Sequence, residues 1–118
     1  MKKVLVIEPD PGLSWILCES LRDAGYEPVA CAPEQAVALA AGACAVVASL
    51  SSFSAEPPPL YTALRADPRT KDVPIILITG RGDLTIRRRL GERPPYVLSK
   101  PFEQATLVET VAQAIAAG

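Results

Sequence analysis

The chain has 118 residues, 49% hydrophobic and 21% charged, with 12 basic against 13 acidic side chains. This composition excludes a disordered polar chain, and the net charge of −1 carries no bulk signal for nucleic acid or an anionic membrane. There is no histidine, which removes Ser-His and Cys-His catalysis, histidine metal sites and a histidine phosphorelay within the chain. The length suits one domain over 1–118, burying roughly two-thirds of the unfolded surface. No apolar run approaches the roughly 18 residues of a membrane span. The opening MKKVLVIEPD has four apolar residues in a row and then meets Glu8 and Asp10, so it does not read as an export signal. A cytoplasmic location is expected.

In chain order, residues 4–7 (VLVI) form the first short aliphatic run; 45–48 (AVVA) and 75–78 (IILI) are the others. None alternates with polar residues, which suits strands covered on both faces of a parallel sheet. Weaker strands are expected at 27–31 and 96–98. Between strands one and two, residues 12–24 carry Leu13, Ile16, Leu17, Leu21 and Ala24 at helical spacing, with Gly25 as the stop. A second helix is expected over 33–41, with Val37, Ala40 and Ala41 inward and Pro33 in its first turn. Residues 51–59 (SSFSAEPPP) read as a loop stiffened by prolines. A short helix follows over 60–66, then an Arg-rich one over 83–90. The last, over 103–116, carries Leu107, Val108, Val111 and Ile115 and starts on Glu103.

Five βα units in a short chain predict an α/β fold, a doubly wound three-layer sandwich. Five strands fit the flavodoxin-like parallel order 2-1-3-4-5. Ligands of such folds bind beyond the carboxyl ends of the strands. That rule selects Glu8, Pro9 and Asp10 after strand one, Ser49 after strand three, Thr79 and Gly80 after strand four, and Ser99 and Lys100 after strand five. The cysteines, Cys18, Cys31 and Cys44, are odd in number, widely spaced and set among Ala, Leu and Val, which reads as three reduced, buried thiols.

On these residues the chain resembles the receiver domains of two-component response regulators over essentially its whole length. VLVIEPDP is similar to that family's first strand and acidic cluster. PIILITG resembles the fourth strand ending on a Ser/Thr switch residue, here Thr79. YVLSKPF resembles the fifth strand, with an aromatic switch position at Tyr96 and the family's Lys-Pro at Lys100. The resemblance implies a phosphoacceptor carboxylate at the end of strand three and a Mg²⁺ site beside it. Here the departures begin. Ser49 occupies the acceptor position and Pro9 a metal-ligand position, while Glu8 matches and Asp10 lies one place further on.

Mg²⁺ takes oxygen ligands, so binding is expected to be weak or lost, and no other cofactor is implied. Ser49 is a poor nucleophile unless activated. A Ser49–Lys100 dyad would need a lowered lysine pKa, which a neighbouring Glu8 opposes. The chain therefore reads as a non-enzymatic, degenerate receiver, or pseudo-receiver, with a vestigial pocket in which Lys100 pairs with Glu8 or Asp10. Two alternatives remain. One is a phospho-switchable receiver with a non-standard acceptor. The other is a small-molecule or anion sensor using the vacant pocket.

A protein partner or fused output domain is expected, without membrane or nucleic acid. Five of the eight arginines lie between 81 and 93, including Arg87, Arg88 and Arg89; they read either as a solvated face or as a docking surface. The resemblance implies that this fourth helix, the fifth strand with Tyr96 and the fifth helix could serve a homodimer or partner face. Trp15 stands about 200° from the Leu13/Leu17/Leu21 stripe, beside Glu19 and Arg22, and is a candidate interface anchor. A glycine-rich dinucleotide motif, a flavodoxin-type phosphate loop and a cobalamin-ligating histidine are all missing from the sequence.

Overall fold

The computed structural model describes residues 2–49, 59–79, 96–100 and 102–117. The elements are β1 (Lys3–Ile7), α1 (Pro11–Asp23), β2 (Glu27–Ala30), a 3₁₀ turn (Pro33–Gln35), α2 (Ala36–Ala40), β3 (Ala45–Ser49), α3 (Pro59–Ala66), β4 (Ile75–Thr79), β5 (Tyr96–Ser99) and the last helix (Gln104–Ala117). The Arg-rich segment 81–93, the loop at 51–58 and Pro101 lie outside the described residues.

The strands form one sheet in the order β2-β1-β3-β4-β5, every neighbouring pair parallel. Their side chains alternate between two cores. Val4, Val6, Val47, Ile76 and Ile78 meet Leu17 and Leu21 of α1 and Leu107 and Val111 of the last helix. Leu5, Ile7, Val46, Ala48 and Leu77 meet Ala36 and Ala40 of α2 and Leu64 of α3. The continuous aliphatic runs are thus explained: both faces are covered, so no strand residue can be polar until the strand ends. This is the flavodoxin-like α/β architecture expected from the strand and helix pattern.

Both ends of α1 are built locally. Asp10 caps its start and Pro11 fills the first helical position. At its end Gly25 takes φ +93°, the left-handed conformation that closes a helix. Gly25 N–H donates to the Arg22 carbonyl at 3.0 Å and Tyr26 N–H to the Leu21 carbonyl at 3.0 Å. The turn after α3 is fastened by side chains. The Arg65 guanidinium donates to the carbonyls of Lys71 (2.8 Å) and Val73 (2.9 Å), and the Thr70 hydroxyl to Leu64 (2.6 Å).

Several expected inward positions are corrected. Ile16 and Ala24 do not belong to the buried face of α1: Ile16 is 53% exposed and Ala24 is exposed. The buried line is Leu17, Ser20 and Leu21, with Leu13 half-buried. Ile16 sits at the border of that arc, about 100° from Leu17. On α2 the inward pair is Ala36 and Ala40, while Ala41 is the exposed C-terminal cap. The helix is only five residues long because the chain enters it through a 3₁₀ turn, which rotates the face. The three cysteines are half-buried rather than enclosed, since each sits at the rim of a core and not at its centre.

Two outcomes test this packing. Leu17→Ala should cost about 2–5 kcal/mol in urea denaturation, whereas Ile16→Ala should stay within about 0.5 kcal/mol. Asp67 accepts from the backbone and guanidinium of Arg69, which lowers its pKa from 3.8 to about 2. The pair therefore supports the fold above the ordinary carboxylate range, and that support fades as pH falls toward 2. A carboxyl-carbon NMR titration should place the Asp67 midpoint near that value, and Arg69→Ala should return it toward 3.8.

Candidate functional site

The parallel register brings the strand ends to one edge. Ile7 pairs with Ala48, so Glu8 stands level with Ser49. On the other side Ser49 pairs with Ile78, and Thr79 pairs with Ser99, which Lys100 follows. Glu8, Ser49, Thr79 and Lys100 therefore line up in sheet order, as the strand-end rule predicts.

Their chemistry differs from one strand to the next. Ser49 is 1% exposed. Glu8 is half-buried, and its Oε2 is fully enclosed without a hydrogen-bond partner. An enclosed carboxylate oxygen with no donor is costly when charged. Lys100 is exposed. The expectation that Lys100 pairs with Glu8 or Asp10 is not met: neither carboxylate forms an ion pair with it. The reason is sheet order. β3 and β4 separate β1 from β5, three strand spacings or roughly 14 Å, farther than one lysine side chain spans.

Asp10 is committed elsewhere. Its Oδ1 accepts from the backbone N–H of Gly12 (2.9 Å) and Leu13 (3.3 Å), and its carbonyl accepts from Ser14 (2.9 Å). Its carboxylate thus satisfies the first turn of α1, where donors lack intrahelical partners.

Glu8 and Pro9 line an open cleft of ≈ 490 Å³ with Ile7, Cys31, Ala32, Pro33 and Glu34. It opens toward the end of β2, and neither Ser49 nor Lys100 lines it. Sequence reasoning named no residue after β2, although the strand-end rule reaches Cys31. Burial pushes the Cys31 thiol up, and the nearby Glu34 charge adds to this. Burial likewise raises Cys18 and Cys44. All three are held as thiols, the less reactive form.

The donors present do not suit a resident Mg²⁺. That ion needs several oxygen ligands in octahedral geometry. Pro9 offers no side-chain oxygen, the Asp10 carboxylate caps α1, and Ser49 contributes a buried neutral hydroxyl. The described residues hold no group of three acidic, Cys or His side chains arranged for a metal. Nor does any described helix have the length and apolarity to cross a membrane. Trp15 is 66% exposed, as its helical phase predicts, while Tyr96 is half-buried against the core shared with α1 and the last helix.

No family model and no curated protein matches the chain. Solved structures do. The Vibrio cholerae chemotaxis protein CheY4 superposes with a TM-score of 0.82 at 23% identity, over 97% of this chain and 98% of that one. The receiver domain of a Pseudomonas aeruginosa sensor histidine kinase, solved with a magnesium ion in its active-site cleft, gives 0.81 at 25% identity over 98% of both chains. A response regulator receiver protein of Sinorhizobium medicae gives 0.81 at 25% identity over 98% of this chain and 95% of that one. With its five parallel strands in the order β2-β1-β3-β4-β5 and helices on both faces, the chain has the response-regulator receiver fold.

Proposed function

We propose that residues 1–118 form one receiver-like module of bacterial two-component signalling that works through protein–protein contact, without phosphoryl transfer to the end of β3. The observation that carries this reading is the residue there. Ser49 is a buried neutral hydroxyl at the position where the resembled domains carry an acceptor carboxylate. Two further observations support it. Pro9 removes a ligand oxygen next to Glu8, and the cap on α1 occupies the only other nearby carboxylate of that loop, Asp10.

A phosphoryl switch works by adding about two negative charges and three acceptor oxygens at one point. Ser49 forms no acyl phosphate. A hydroxyl needs a base or a metal to attack phosphorus, and Lys100 is exposed rather than enclosed beside Ser49. The strand-end pocket then stays in one chemical state, and the module presents the same surface at all times. Its partner is a fused output domain or a separate protein. Among the contact candidates, Trp15 is a large, exposed anchor; Arg87, Arg88 and Arg89 are a second candidate in sequence.

Amide NMR gives the direct test. Addition of Mg²⁺, then of Mg²⁺ with beryllofluoride, should leave the signals of Glu8, Ser49, Thr79 and Lys100 in place; saturable movement would show a working phosphoryl pocket and sink the reading. Ser49→Asp alone should not create Mg²⁺-dependent shifts, whereas Ser49→Asp with Pro9→Asp should. Asp10→Ala should lower stability by about 1 kcal/mol and Asp10→Asn by much less, because the side chain works as a cap.

A further inference from the structure

The cleft of ≈ 490 Å³ at the ends of β1 and β2 has a buried floor and an open rim. Ile7 in its lining is 1% exposed and Glu8 beside it is half-buried, whereas Pro9, Ala32, Pro33 and Glu34 are exposed. Its walls are thus mostly hydrocarbon, with one carboxylate low in the cleft and one at the rim. That is the make-up of a small-molecule site, an apolar hollow of roughly 300–1,000 Å³ with a few placed polar groups. Among the described residues neither carboxylate enters an ion pair and no basic side chain lines the cleft. Glu8 Oε2 is enclosed without a donor. Enclosing a charged oxygen in this way is costly unless an opposite charge stands close by.

We propose that this cleft binds an organic cation, a primary ammonium or guanidinium carried on a short alkyl chain. The charge selects the head group. An anion would meet two carboxylates, and an uncharged ligand would leave the cost at Glu8 in place. A hard metal ion fits poorly, because it needs several oxygen ligands and the described residues hold no group of three acidic, Cys or His side chains arranged for one. Both organic head groups carry several N–H donors, and a half-buried position screens their charge less than open water does. The last torsion of Glu8 is broad, so either carboxylate oxygen can turn toward the ligand. The lining selects the body: Pro9, Ala32 and Pro33 present hydrocarbon that an alkyl chain covers. Glu34 at the rim adds attraction at longer range. The site is separate from the strand-end row, since neither Ser49 nor Lys100 lines it.

The test is an amide NMR titration of the whole chain at constant ionic strength, which removes general screening effects. The probe is n-butylammonium, with n-butanol as its uncharged counterpart and butanoate as its anionic one. n-Butylammonium should move the signals of Ile7, Glu8, Cys31, Ala32 and Glu34 saturably and leave Ser49 and Lys100 in place. n-Butanol should bind at least about tenfold more weakly, a difference of about 1.4 kcal/mol, and butanoate should not bind. Glu8→Gln keeps the shape of the side chain and removes its charge; it should weaken n-butylammonium by about tenfold or more. Glu109→Gln, at an exposed position of the last helix, should leave the affinity unchanged. Nα-acetyl-lysine methylamide separates two sources of the same chemistry. Binding as tight as n-butylammonium or tighter assigns the site to a lysine side chain of a protein partner, and weaker binding assigns it to a free amine. The proposal falls if n-butylammonium moves none of the cleft amides, if n-butanol binds equally well, or if Glu8→Gln leaves the affinity unchanged. These outcomes are independent of the response to beryllofluoride, so the cleft and the wider reading fail separately.

Discussion

Everything in this molecule follows from strands covered on both faces. β1, β3 and β4 place Val4 to Ile7, Ala45 to Ser49 and Ile75 to Ile78 wholly out of water. Inside such a sheet a polar side chain has no solvent to return to, and the backbone donors and acceptors are used by the ladder. Polar chemistry can therefore begin only where the strands stop. Parallel pairing puts all those stops at one edge, which is why Glu8, Ser49, Thr79 and Lys100 line up along it although they lie far apart in the chain.

That edge limits how much charge it can hold. With carboxylates at positions 8, 9 and 49 it would gather three like charges near a low-dielectric core. Such a cluster is stable only with a cation beside it, since each carboxylate disfavours ionisation of the others. Pro9 and Ser49 relieve the cluster together. One neutral hydroxyl and one side chain without polar atoms leave Glu8 as the remaining strand-level carboxylate. Its Oε2 is enclosed without a donor. On the proposed reading, the neutral residues at positions 9 and 49 are thus one electrostatic feature, and the hydrophobic layers beneath are indifferent to it.

Those layers were legible for the same reason. A run such as IILI cannot be a half-exposed strand, so the sheet type and strand order could be read from periodicity and chain length. The strand-end rule then picked out Glu8, Ser49, Thr79 and Lys100. Two matters were not legible. Ile16 and Leu17 are equally apolar, and only the way α1 packs on the sheet and the last helix decides that one is open and the other buried. The separation of Lys100 from Glu8 depends on two intervening strands, a property of the sheet and not of spacing along the chain. The commitment of Asp10 could have been foreseen: an Asp just before Pro-Gly at the head of an apolar-periodic segment is itself a cap signal. Its likeness to an acidic cluster drew attention away from that role.

The cap also links the edge to the outer surface. Asp10 fastens the start of α1 to the loop after β1, and the Gly25 turn fastens its end to β2 through Tyr26 and Leu21. A helix held at both ends, with Leu17 and Leu21 sunk in the core, presents Trp15 and Ile16 in nearly fixed positions. Rigid presentation lowers the ordering cost of association, so a small apolar surface can contribute more affinity than its area suggests. If the pocket carries no switchable charge, as proposed above, the module has no built-in means of altering that surface. On that reading its specificity comes from fixed surface features such as the exposed Trp15 and Ile16 of α1, and its regulation from the supply of partners.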